Sequence, residues 1–236
     1  MSKDVPKNQE RSVLDSPKDA LTKIAVFDVD RTLIVRTSAE VQLIRFLRQR
    51  NMLPLANLVS NFFSFLRQMP HGFEQVIIRK SAYLRGLNAG DVMSFLPEFF
   101  EARLRPRISE KVREYMQNLR EKEYEIVLIS GTLDFILQML VERLNAHGGI
   151  GSYAEIQNGK FTGRIKGIHP YFHGKVSALE KYLDGRRVDF ACSYGFGDSW
   201  ADVPLLSMFG HPVAVNPGRL LKRKARKYGW AVVSDY

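Results

Sequence analysis

The sequence predicts an α/β protein, a doubly wound parallel sheet bearing a small all-helical cap. Three observations predict it. Short, largely apolar runs at 24–27, 124–130 and 188–196 read as strands buried on both faces. From residue 108 onward these runs alternate with segments whose apolar residues recur at three-and-four spacing, the pattern of helices that cross between parallel strands. Between residues 34 and 106 only helical spacing occurs, so that block is expected to stand apart from the sheet.

Composition agrees with a folded chain. At 236 residues and 45% hydrophobic content, the protein can bury one substantial core or a core domain with a smaller companion. Its 35 basic and 25 acidic residues leave a formal charge of +10, which favours anionic partners without identifying one. A single cysteine, Cys192, excludes an intramolecular disulfide framework and fits a reducing, cytoplasmic setting. Within the apolar run 188–196 it reads as core filler.

Residues 1–22 are polar, lack the apolar stretch of a signal peptide and read as a flexible arm. The first strand follows, with Ile24, Ala25, Val26, Phe27 and Val29 apolar and Asp28 and Asp30 where the strand would emerge into a loop. Alternate residues share a face, so both aspartates point to one side, with Thr32 next. Helices are predicted at 38–50, 52–68, 72–87 and 91–103, punctuated by Pro54, Pro70, Gly86 and Gly90 and closed by Pro106. The cap is therefore set at 34–106, and the core at 23–33 plus 107–236. The cap holds 10 basic and 5 acidic residues, half of the formal excess.

Beyond the cap, 109–121 suits a helix, 124–130 a buried strand and 133–147 another helix. Asn158-Gly159 predicts a hairpin turn within 154–167. A helix at 175–183 leads to the strand 188–196 and a loop reading GDSWADVP. The chain closes with an apolar run at 212–217, a basic helix at 219–228 and AVVS.

Ligands of open parallel sheets bind beyond the carboxyl ends of the strands. That edge should gather Asp28, Asp30 and Thr32, then Ser130, Gly131 and Thr132, then Lys175, and finally Asp198 and Asp202. Four neighbouring carboxylates cannot all stay ionised without a counterion, and the hard cation that takes such oxygen ligands is Mg2+. A phosphate approaching a carboxylate nucleophile would then need Lys175, Ser130 and backbone N–H groups. The inventory points to metal-assisted phosphoryl transfer.

FDVDRT, LISGT, GK and GDSWADVP, in that order with a helical insertion after the first, resemble the four motifs of the haloacid dehalogenase superfamily, in its phosphoserine-phosphatase-like branch. The resemblance implies that Asp28 forms an aspartyl-phosphate and that Asp30 protonates the leaving oxygen and then activates water. Thr32 would orient the first loop and, with Ser130, Gly131 and Lys175, serve the phosphoryl group. Asp28, Asp198, Asp202 and the backbone carbonyl of Asp30 would hold Mg2+. Arg31 departs from the small residue usual at its position. The stretch 34–38 lacks the glutamate that phosphoserine phosphatases use for the substrate amine; Glu40 lies farther along.

These residues imply a phosphomonoester hydrolase acting on a phosphorylated small molecule. The apolar segment 52–66, at 15 residues, is shorter than the roughly 20 needed to span a membrane. It reads either as cap core or as an interfacial face, the latter implying lipid-like phosphates at an anionic membrane surface. A non-catalytic binding module is the remaining alternative. The basic run 220–228 reads as a solvated helix face, and without aromatic interleaving no nucleic-acid partner is expected. His169 and His173, bracketing residues 170–172, read as loop residues of which one could face substrate. Trp200 is expected to pack against the hinge or cap.

Overall fold

Five buried residues, Ile24–Asp28, form the first strand, β1, in a computed structural model that describes residues 21–53 and 80–235. Helix α1 (Ala39–Gln49) follows, capped by Ser38, whose hydroxyl accepts from Val41 N–H. On the far side of residues 54–79 come a 3-10 turn (Lys80–Leu84), α2 (Ala89–Ser94), α3 (Leu96–Phe99) and a π turn (Phe100–Leu104). The remainder alternates: α4 (Glu110–Glu121), β2 (Glu125–Leu133), α5 (Asp134–Arg143), β3 (Gly148–Gln157), β4 (Lys160–Lys166), α6 (His173–Leu183) and β5 (Tyr194–Gly197). It ends with α7 (Val203–Leu206), β6 (His211–Val215), α8 (Arg219–Tyr228) and β7 (Ala231–Val233).

The seven strands form one sheet in the order β4-β3-β2-β1-β5-β6-β7, parallel except for the β3–β4 hairpin. β1 lies centrally between β2 and β5, where the direction of winding reverses; such switch points open a crevice beyond the strand ends. The expected doubly wound α/β architecture is therefore observed. At the hairpin, Asn158 (φ 50°) and Gly159 (φ 72°) occupy the left-handed region a tight two-residue turn requires.

A single hydrophobic cluster joins the sheet to the described part of the helical segment. Phe27 stacks on Phe196 with ring centres 4.1 Å apart, while Phe46 and Phe99 meet edge to face at 5.5 Å in the same cluster. Ala89 N–H also donates to the Gly159 carbonyl, tying α2 to the hairpin.

Four sequence expectations change. The predicted helix 91–103 is broken into α2, α3 and a π turn, because Pro97 has no N–H for a continuous ladder and instead sits in the first turn of α3. The run 188–196 is a strand only from Tyr194; before it Val188 and Phe190 pack against the core and Ser193 is buried, while the chain turns at Ala191 and Cys192 and exposes both. Cys192 is consequently exposed rather than core filler, its N–H held by Asp189 Oδ1 at 3.0 Å. Trp200 is 47% exposed instead of packed away. The predicted helix 52–68 and most of 72–87 lie outside the described residues. Among the described residues, no helix is long and apolar enough to cross a membrane.

Candidate active site

Three strand ends and one helix start converge beyond β1. A strand that is apolar to its last residue delivers Asp28 to the edge of the core, where it is 4% exposed. The chain then turns tightly: Val29 O accepts from Leu33 and Ile34 N–H, and Arg31 N–H donates to Ile34 O at 2.8 Å. This turn directs the Asp30 carboxylate at α1, where Oδ1 accepts from Ala39 N–H at 2.8 Å as a second helix cap. Its other oxygen, Oδ2, accepts from Ser130 Oγ at 3.3 Å, linking the first and second motifs.

β5 brings in the acidic turn. Asp202 Oδ2 accepts from Asp198 N–H, Ser199 N–H and Ser199 Oγ at 3.2, 2.9 and 2.9 Å, closing a capping box. Its Oδ1 faces Lys175 Nζ at 2.5 Å, and the same ammonium donates to Asp28 Oδ1. Lys175 reaches inward from the first turn of α6, where Gly174 lets the backbone pass His169; a Cβ there would fall 2.2 Å from the His169 carbonyl oxygen. Asp28, Asp198 and Asp202, all buried, each offer a carboxylate oxygen within 4.8 Å of the others.

Charge is unevenly compensated. Burial raises Asp28 well above the usual carboxylate range; Lys175 opposes this, and Asp202 and Asp198 add to it. Burial and Asp202 push Asp198 up to about 7 against the pull of Arg31 and Lys175. Burial acts upward on Asp202 too, but Lys175 and Ser199 together hold it below its ordinary value. Burial acts downward on Lys175, yet Asp202 and Asp28 raise it, so it remains an ammonium. Two buried carboxylates thus remain short of positive charge. Together with Asp202 they offer three hard oxygen donors, a set that fits a small divalent cation.

The pocket above them has a volume of about 330 Å³. Its lining includes the expected Asp28, Asp30, Ser130, Gly131, Lys175, Asp198 and Asp202. Thr32 is not among them: it is fully buried beneath the first loop. The Asp30 carboxylate is likewise outside the acidic cluster, being committed to Ala39 and Ser130. Sequence reasoning missed Thr37, Ser38, Val41, Ser199 and Ala201 on the pocket wall. Tyr171, not either neighbouring histidine, lines the pocket between residues 169 and 173. His169 instead packs on Gly131, and its Nδ1 lies 2.6 Å from Ser152 Oγ.

Residues 25–207 match the family described as haloacid dehalogenase-like hydrolase. The chain belongs to that family. Among the relatives of this hydrolase is phosphoserine phosphatase SerB1 of Mycobacterium tuberculosis, 28% identical over 222 residues, spanning 92% of this chain and 72% of that protein. A histidinol-phosphatase of Neisseria meningitidis serogroup C is 28% identical over 222 residues, spanning 91% of this chain and 99% of that one. A Bordetella pertussis Tohama I protein of unknown function shares the fold with a TM-score of 0.80, 24% identity, and coverage of 92% and 100%. The hydrolase thus sits among phosphatases of its family.

Proposed function

We propose that this hydrolase cleaves phosphomonoesters of small molecules through a covalent intermediate on Asp28. One observation carries the reading: a buried aspartate at the end of the central strand is bridged by Lys175 to a second acidic loop, facing a pocket. Asp28 attacks phosphorus; the Asp28 Oδ–P bond forms as the bond to the leaving oxygen breaks. Asp30, anchored by Ala39 N–H, donates a proton to that oxygen. Asp30 then accepts a proton from the attacking water, the Asp28–phosphorus bond breaks, and inorganic phosphate departs.

Lys175 orients the nucleophile and supplies positive charge to the phosphoryl oxygens, joined by Ser130 and Gly131. Thr32 serves from beneath, packing the loop that aims Asp28 and Asp30. Mg2+ would be held by Asp28, Asp198 and, at the margin, Asp202, supplying charge neutralisation for the incoming phosphate. Asp202 has one oxygen committed to the turn and the other to Lys175, so its first role is to hold that turn. Segment 34–106 acts as a cap whose α1 walls the pocket. A cytoplasmic setting completes the reading, supported by the exposed single thiol of Cys192.

Replacing Asp28 with Asn should reduce hydrolysis of a generic aryl phosphate to background in the presence of Mg2+, while the folded protein persists. Near-normal turnover by that variant would sink the mechanism.

A further inference from the structure

Arg31 sits where its backbone conformation argues for glycine. Its φ of 67° lies in the left-handed region that side chains disfavour, fixed there by the hydrogen bond from its own N–H to Ile34 O. A side chain kept at such a position beside reacting groups points to use, since the backbone cost must be offset elsewhere. The guanidinium lines the pocket, its Nε 3.1 Å from Asp198 Oδ2, while the side chain as a whole is 61% exposed. An arginine has five N–H donors, and this contact occupies one.

The acidic residue that could oppose it in recognising substrate is turned the other way. Glu40, in the first turn of α1, is buried, and burial together with the Glu40 charge raises the buried Tyr83 hydroxyl well above its ordinary value. The wall that α1 and its approach present to the pocket is instead neutral, made of Thr37, Ser38 and Val41, and Tyr171 adds a further uncharged surface. Outside the four motifs the described pocket wall is therefore uncharged, and the cations that line the pocket are Arg31 and Lys175.

We propose that Arg31 is a specificity-determining residue: it binds a second anionic oxygen group on the leaving group and selects against leaving groups bearing an ammonium. The inference rests on the phosphomonoesterase reading and narrows its substrate class. Bidentate recognition of an oxyanion suits the planar guanidinium, and its exposed position at the mouth leaves the Lys175 site to the reacting phosphate.

Three phenyl phosphates bearing a carboxylate, a carboxamide or an aminomethyl group at the same meta position test it, at saturating Mg2+. The wild type should show kcat/KM about tenfold higher for the carboxylate than for the carboxamide, on the scale of a charge-assisted contact, and lowest for the ammonium. In Arg31→Gln the carboxylate-to-carboxamide ratio should fall toward one. Arg31→Gly, which suits the positive φ, should lose the same selectivity while melting no lower than wild type, so misfolding is not the cause. A ratio unchanged in both variants, or a wild-type preference for the ammonium ester, overturns the inference alone. No turnover of any of the three overturns the phosphatase reading and this inference with it.

Discussion

Asp202 Oδ1 lies 2.5 Å from Lys175 Nζ while the other oxygen of the same carboxylate holds the turn at residues 198 and 199. One side chain therefore couples the acidic loop after β5 to the start of α6, and through Lys175 to Asp28. Removing the ammonium leaves two buried carboxylates facing each other without compensation. Lys175→Met should lose turnover and be destabilised by about 3–5 kcal/mol, the scale for breaking a buried ion pair. Urea denaturation at neutral pH measures it; a midpoint equal to wild type would refute the coupling.

The metal-free protein should lose stability as pH rises from about 4 to about 7. Asp198 titrates near 7 in the fold and close to 4 in the unfolded chain. Across that window the folded state keeps a proton that the unfolded state has released, so each rise in pH favours unfolding; above 7 the loss is complete. The raised Asp28 works in the same direction. Urea midpoints in chelator from pH 5 to 8 should fall, with a shallower fall in Asp198→Asn. Mg2+ should restore stability most at the alkaline end, by binding the folded state. A rising profile in chelator would contradict the charge imbalance.

Gly131 and His169 form a pair whose contact should appear as non-additivity. A Cβ on Gly131 would lie 3.1 Å from His169 Cε1, and the ring is steadied by Ser152 Oγ, which also donates to the Gly131 carbonyl at 2.8 Å. Gly131→Ala should therefore displace the ring or the second motif, lowering both turnover and stability. Added to His169→Ala, the same change should cost less, giving a coupling of about 0.5–3 kcal/mol. Additive effects would mean that the ring yields freely.

The sheet was legible because buried parallel strands are apolar almost throughout, so Asp28 stood out where apolar residues stopped. The same contrast marked Asp198 at the end of β5 and Lys175 ahead of a helix. What escaped depends on side-chain direction. Thr37, Ser38 and Val41 line the pocket because Asp30 and Ser38 cap α1 and fix its rotation, which periodicity alone does not set. Cys192 shares an apolar run with β5, but pairing starts only at Tyr194, and composition does not show where a ladder begins. The Arg31 contact with Asp198 follows from a positive φ, which no pattern of arginine predicts.

Asp30 is predicted to separate into two roles by substitution. Its carboxylate caps α1 through Ala39 N–H and, in the proposed mechanism, moves protons at the leaving oxygen. Asparagine keeps an acceptor oxygen for the cap but cannot exchange a proton, so Asp30→Asn should hold near wild-type stability and lose turnover. Alanine removes both, and Asp30→Ala should be less stable than Asp30→Asn by about 1 kcal/mol, the usual worth of a helix cap. Aryl phosphates with good leaving groups need little protonation, so Asp30→Asn should form the Asp28 adduct from them and stall before water attack. Mass spectrometry of the quenched variant should then show added phosphoryl mass, whereas an unmodified chain with full turnover would remove Asp30 from the chemistry.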